Sequence, residues 1–129
     1  MTLRKIETSA IAPLAEYQQQ RAERRKRIAD LKKNRRLEVG PFAAFYFESY
    51  DTMLHQVQEM LFIEKGGVAQ IPDELAAYNP LIPQGSELVA TVKFEIDEPV
   101  RRARVLANLG GIEHKAFIRV GGDTIRSVA

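Results

Sequence analysis

The sequence predicts a single α+β domain over residues 1–129, in which a small mixed or antiparallel sheet packs against a central amphipathic helix. Three observations predict this fold. The chain has the length of one domain, apolar residues recur at helical spacing over 49–65, and the other apolar segments are rich in β-branched and aromatic residues. We expect a long basic helix before this core of about 36–129 and a strand-helix-hairpin unit at its end.

Composition removes several classes of protein. The chain contains no cysteine, so it can form no disulfide, thiolate metal site or cysteine nucleophile. It shows no signal-peptide pattern, and no apolar run approaches the roughly 18 residues that span a bilayer. Its glycine pairs do not have the spacing of a phosphate-binding loop. We therefore expect a cytoplasmic protein that does not enter a membrane.

The first element is a helix over about 12–35. Pro13 suits a first helical turn, and Ser9 is a nearby candidate for its cap. Arg21 and Arg24 interrupt the apolar stripe of this helix, so we expect the helix to dock by its two ends while the arginine stems cover apolar surface. The stripe consists of Leu14, Tyr17, Ile28 and Leu31.

Residues 36–47 follow as strand-forming sequence, with a turn or bulge at Gly40. They predict either one bent strand or a hairpin. A further strand is expected within 88–96, because its later residues alternate. The face expected to be buried carries Val92, Phe94 and Ile96.

The central helix is predicted to end at about Lys65. Either Ser49 or Asp51 can cap its start. Gly66 and Gly67 are expected to end it in a left-handed conformation. Its broad apolar face makes it the main packing element. That face contains Met53, Leu54, Val57, Met60, Leu61 and Ile63.

Beyond a short helix over 73–78, the last third predicts a helix over 98–109 and a hairpin over 117–128. Asp97 and Pro99 favour the helix start, and Gly110 favours its end. A glycine turn lies inside the hairpin segment. The residues expected to face inward are Val100, Val105, Leu106 and Leu109.

Charge is distributed unevenly along the chain. Residues 1–36 hold eleven Lys and Arg against four Asp and Glu, whereas residues 64–98 hold two against seven. This asymmetry suits an anionic partner, self-association or an internal match between the two segments. The basic stretch 21–36 fits nucleic acid, a protein partner or a solvated helix, although no aromatic residue interleaves with it. Its candidate partner-binding residues are Arg24, Arg25, Arg27, Lys32, Lys33, Arg35 and Arg36.

A polar flank of the central helix is a candidate metal site. Glu48, Asp51, His55 and Glu59 follow one another at spacings of three or four, so they share one side of a helix. His55 and Glu59 have ligand spacing for a divalent metal, but a working site needs at least three ligands. The alternative is a polar flank with a surface histidine. Further polar candidates are Gln56, Gln58 and His114.

Several segments together resemble a known family. They are LKKNRR (31–36), VGP (39–41), FESYDT (47–52), QVQEML (56–61) and DELAAYNPLIP (73–83). The family is an uncharacterised bacterial one, a domain of unknown function whose genes are associated with rubrerythrin-like and iron–sulfur oxidoreductase genes. Its members are longer, which implies that this chain is a truncated or naturally short form.

The resemblance implies a bacterial cytoplasmic protein in a redox or iron-handling setting and carries over no activity. With the charge asymmetry, it predicts a non-enzymatic accessory protein that binds a partner. The alternatives are a metal-binding protein or metal-dependent enzyme using His55 and Glu59, and a nucleic-acid-binding protein using the basic helix.

Overall fold

The computed structural model describes residues 4–128 of the chain and confirms the α+β class. Its contacts divide the chain between Phe94 and Glu95 into two compact units. The first unit contains α1 (Leu14–Lys33), β1 (Arg36–Val39), β2 (Ala43–Phe47), α2 (Tyr50–Glu64), α3 (Ile71–Tyr78) and β3 (Ala90–Phe94). The second contains α4 (Pro99–Ala107), β4 (Phe117–Val120) and β5 (Asp123–Arg126). Within residues 4–128, no helix has the length and apolarity needed to cross a bilayer.

Helix α1 confirms the predicted basic helix, and its inward side is narrow. Tyr17 and Ile28 are buried, whereas Leu14 of the same stripe is exposed. The expected cap is wrong, because Ser9 lies in a separate 3-10 turn and Pro13 occupies the N-cap position. Proline provides no side-chain acceptor, so the start of α1 is fixed by contacts of the preceding segment instead.

Strands β1 and β2 form a hairpin, which decides between the two predictions for this segment. The sheet has the order β1-β2-β3 and is antiparallel throughout. Leu37, Phe45 and Val92 lie side by side across it. The prediction that Val92 is buried is wrong, since this face of the sheet leaves it 39% exposed. Ile96, beyond the end of β3, is buried as predicted.

Helix α2 is the predicted central helix. Ser49 caps it by accepting from the Thr52 backbone N–H, and the Thr52 hydroxyl oxygen accepts in turn from the Ser49 backbone N–H at 2.8 Å. The C-cap residue of the helix is Lys65, which has a φ of 55°. Lys65 therefore adopts the left-handed conformation that the sequence predicts for Gly66 and Gly67. Ile63 is exposed rather than buried, because it lies on the flank away from the core face. The core cluster of this unit contains Ile6, Met53, Val57, Leu61 and Ile82.

Two side-chain amides hold the N-terminal segment against this core. Asn79 accepts from the backbone N–H of Ile6 at 2.7 Å and donates to its carbonyl at 3.3 Å. Gln84 makes the same pair of bonds with the backbone of Arg4, at 2.6 and 2.8 Å. The two amides therefore act like a neighbouring strand, and Ile6 is placed in the core.

The second unit confirms the helix and hairpin but not the inward face predicted for the helix. Glu98 caps α4 by accepting from the backbone N–H groups of Val100 and Arg101. Val100 and Leu106 are nevertheless exposed, and Val105 and Leu109 are only half-buried. A short helix and a two-stranded hairpin cannot enclose a core of their own.

Candidate functional site

The main polar contacts of the first unit lie between α1 and α2. Tyr17 and Arg21, early in α1, contact Glu59, late in α2, whereas Arg27 further along α1 approaches Asp51 at the start of α2. The two helices are therefore antiparallel, and the basic flank of one faces the acidic flank of the other. We call this row of contacts the charged seam.

Glu59 is the centre of the charged seam. The Tyr17 hydroxyl donates to Glu59 Oε2 at 2.6 Å. Arg21 donates from Nε to Oε2 at 3.0 Å and from a terminal nitrogen to Oε1 at 3.2 Å, which makes a bidentate pair. Arg25 Nε lies 3.9 Å from Oε1. Both carboxylate oxygens are thus occupied by donors of α1.

These contacts shift the ionisation of the groups involved. Burial alone would raise the pKa of Glu59, but the hydrogen bonds from Arg21 and Tyr17 lower that pKa below its ordinary value. Burial, followed by the hydrogen bond to Glu59, raises the pKa of the Tyr17 hydroxyl far above its ordinary value. Glu59 is therefore held as a carboxylate and Tyr17 as a neutral donor, so neither is suited to exchange a proton near neutral pH.

An aromatic side chain of α2 completes this end of the seam. The Arg21 guanidinium carbon lies 4.3 Å from the centre of the Phe62 ring. Tyr17 meets the same ring edge-on, with 6.0 Å between centroids. Arg21 thus contacts a carboxylate and an aromatic face at the same time. A planar guanidinium makes these two contacts better than an ammonium group does.

His55 lies one turn before Glu59 and is half-buried. Burial lowers its pKa, and the positive charges of Lys32 and Arg25 lower it further, while Glu59 acts in the opposite direction. The imidazole is therefore a neutral group among cations.

Glu48 lies at the other end of the charged seam and is 8% exposed. Burial raises its pKa, against the opposing charges of Lys32 and Lys93 and a hydrogen bond with Thr52. Its backbone N–H donates to the Val89 carbonyl at 2.7 Å, so the carboxylate is fixed where β2 passes into α2.

This arrangement does not favour the predicted metal site. Among residues 4–128, no group of three or more His, Asp or Glu side chains is placed to hold a metal ion. The oxygens of Glu59 already accept from Tyr17 and Arg21, and Asp51 is directed toward Arg27. We derive no metal chemistry from this set, and a divalent metal at His55 and Glu59 stays a prediction.

The remaining polar candidates have structural surroundings. Gln58 is buried and accepts from the Ala12 backbone N–H at 2.6 Å, which fixes the approach to α1. Gln56 donates to the Tyr78 hydroxyl at 3.4 Å. His114 lies in the second unit, exposed, 3.5 Å from Glu113. Gln58 is the one of these three that helps to build the charged seam.

Some of the basic residues contact the charged seam, and others are exposed to solvent. Arg24 donates to Gln20 and stacks over Tyr17, while Arg25 and Arg27 reach carboxylates only at 3.9 Å. Lys33 pairs within α1, with Asp30. We call the cations from Arg24 to Lys33 the basic surface. Its members are Arg24, Arg25, Lys26, Arg27, Lys32 and Lys33.

The other two predicted basic residues lie beyond α1. Arg35, with Leu31, Asn34 and Phe47, lines an open depression of about 520 Å³. Arg36 belongs to β1, where it contacts Glu38 and Tyr46. The depression adjoins the basic surface but holds only one cationic side chain.

Sequence reasoning did not identify Tyr17 and Phe62 as parts of the site. A signal was present, since Tyr17 and Arg21 are four residues apart and Glu59 and Phe62 are three apart, which places each pair on one helix face. Matching those faces requires knowing that the two helices are antiparallel neighbours.

Comparison with known proteins identifies relatives but no activity. A sequence model of the family described as "Protein of unknown function (DUF3501)" matches residues 5–129. The crystal structure of a novel protein of unknown function from Burkholderia pseudomallei K96243 is similar, with 34% identity and a TM-score of 0.89 over 95% of this chain and 71% of that chain. No protein of curated function matches.

Proposed function

Since the chain belongs to the family of unknown function DUF3501, we propose its role from its surface: it is a non-enzymatic cytoplasmic accessory protein that binds an acidic protein partner. The binding element is the basic surface of α1. The resemblance noted from the sequence implies that this partner belongs to a bacterial redox or iron-handling system.

The proposal rests on the observation that the side chains of the basic surface make few close contacts within the fold. The side chains of Arg27 and Lys33 are 72% and 75% exposed, although each has an acidic neighbour. None of the ion pairs of the described residues includes Lys26 or Lys32. Exposed cations concentrated on one rigid helix increase association rates with acidic surfaces and favour one orientation.

A protein partner suits α1 better than a nucleic acid. Recognition of single strands relies on aromatic side chains that stack on bases. The aromatic residue of α1 is Tyr17, which is fully buried against α2. Glu16, Glu23 and Asp30 also interrupt the cations, which weakens attraction to a continuous row of phosphates but suits a partner with mixed charges.

Charge reversal tests this proposal. Arg27→Glu/Lys33→Glu changes two well-exposed residues of the basic surface, and Lys115→Glu/Arg119→Glu makes the same change of net charge in the second unit. Binding of each protein to poly-L-glutamate and to duplex DNA is measured at physiological salt. We expect poly-L-glutamate to bind the native chain and the control alike, and the α1 variant at least about tenfold more weakly.

Two results would overturn the proposal. Duplex DNA that binds the native chain more tightly than poly-L-glutamate at the same salt would assign α1 to nucleic acid. Equal weakening in the α1 variant and the control would show a response to net charge alone.

A further inference from the structure

Strand β1 is the outer strand of the three-stranded sheet. It pairs with β2 on one side, and its four residues are exposed. Within residues 4–128 no strand pairs with its other edge. An edge of this kind offers backbone donors and acceptors to a further strand.

The hydrogen-bond pattern shows which residues face that edge. The backbone N–H of Phe47 donates to the Arg35 carbonyl at 2.9 Å, so these two residues form a hydrogen-bonded pair. Such pairs alternate along antiparallel strands. Leu37 and Val39 therefore direct their backbone groups toward β2, whereas Arg36 and Glu38 direct theirs outward.

We propose that β1 pairs with β1 of a second copy of this chain, antiparallel and about a two-fold axis at Leu37. This register places Arg36 opposite Glu38 of the second copy, and Glu38 opposite its Arg36. Both pairs consist of outward-facing residues, as backbone hydrogen bonding across the new edge requires. The two sheets join into one antiparallel sheet of six strands.

Charge selects this register over its neighbours. A shift of one residue would place a residue whose backbone groups face outward opposite one whose backbone groups face β2. The hydrogen bonds between the two copies would then be lost. A shift of two residues would place Arg36 opposite Arg36, or Glu38 opposite Glu38, and like charges directly opposite destabilise a strand pair. Charged residues usually protect an edge strand, but opposite charges two residues apart complement a second copy in one register.

Apolar side chains support the same contact. Leu37 is 53% exposed and lies across the sheet from Phe45 and Val92. In the proposed register it meets Leu37 of the second copy at a pair without backbone hydrogen bonds, where side chains approach most closely. The half-exposed apolar rows of the two sheets then become continuous.

The inference does not rest on the function proposed for α1, because its residues lie on β1. Sedimentation equilibrium measures the dimer dissociation constant of the native chain, of Arg36→Glu, of Glu38→Arg and of the double variant with both changes. We expect each single change to weaken the dimer about tenfold or more and the double variant to restore it, since the exchanged charges still match. Glu113→Arg, an exposed control in the second unit, should have no effect.

A backbone variant keeps the test independent of side-chain charge. Glu38→Pro removes an outward N–H and leaves the bonds between β1 and β2 in place, so it should give a folded monomer by circular dichroism. A native chain that remains monomeric through the micromolar range would overturn the inference. So would a dimer that is insensitive to Glu38→Pro, or a folded double variant no tighter than the single ones.

Discussion

The hydroxyl of Tyr17 donates to the carboxylate of Glu59 over 2.6 Å, and the same carboxylate receives two bonds from Arg21. One acidic side chain of α2 thereby fixes two turns of α1. The contact explains how α1 docks with so few apolar residues, because a buried aromatic ring and a bidentate ion pair take the place of a wider apolar face.

Replacing Glu59 by glutamine should lower the free energy of unfolding by about 1–3 kcal/mol. The amide retains an acceptor for Tyr17 but loses the charge that balances Arg21 and offers only one oxygen. Glu16→Gln, at an exposed position of α1, is the matched control and should change stability little. Urea denaturation followed by circular dichroism measures both, and equal stability of the two variants would contradict this role for Glu59.

His55 should make stability depend on pH. Burial lowers the pKa of its imidazole from 6.5, so the unfolded chain binds the proton more tightly than the folded one. The contribution is fully present above 6.5 and is lost as the pH falls from there through the lowered pKa of the folded chain. His55→Gln should flatten the stability profile over that window, whereas His114→Gln, an exposed histidine, should leave it unchanged. A native profile without this slope would rule the effect out.

The sequence identified the two charged constellations separately but could not show that they face each other. Asp51, His55 and Glu59 lie on α2 as their spacing predicts, whereas Glu48 precedes the N-cap residue Ser49. The run of basic residues correctly predicted α1. Their relation depends on helix order and direction, which local periodicity does not encode. Glu59, which the sequence offers as a candidate metal ligand, thus pairs with Arg21 inside the fold.

Helix and strand positions were easier to predict than burial. Local chemistry predicted the C-terminal hairpin turn, and it predicted α4 over 98–109, close to the observed Pro99–Ala107, although Glu98 caps α4 in place of Asp97. Of the two caps that the sequence allowed for α2, the structure has Ser49. Local chemistry does not predict the exposure of Val92, Val100 and Leu106. The burial of a helix or strand face depends on which other element packs against it. A periodic apolar pattern shows which side of an element can be buried and leaves open whether another element reaches it.

Glu48 should destabilise the folded chain when it is charged. Burial raises its pKa, so ionisation is less favourable in the folded state than in the unfolded state, and stability from this group increases as the pH falls toward 4.5. Glu48→Gln should therefore stabilise the chain near pH 7, with the gain disappearing near pH 4. Glu23→Gln, exposed on α1, should show no such change. Urea denaturation at both pH values measures it, and a loss of stability at neutral pH would show that Lys32 and Lys93 outweigh burial.

Gln58 should contribute more to stability than its neighbour Gln56, although both lie on α2. Gln58 is 1% exposed, and its side-chain oxygen accepts from the Ala12 N–H just before α1 begins. Gln58→Leu has nearly the same volume but leaves that N–H without its acceptor, which should cost about 1–3 kcal/mol. Gln56→Leu removes only a long 3.4 Å bond to Tyr78 at a half-buried position and should cost less. Hydrogen exchange separates the two further, because loss of the Gln58 contact should speed exchange of the Ala12 amide and of the first turn of α1. Unchanged exchange there in Gln58→Leu would mean that the ion pair at Glu59 alone positions the helix.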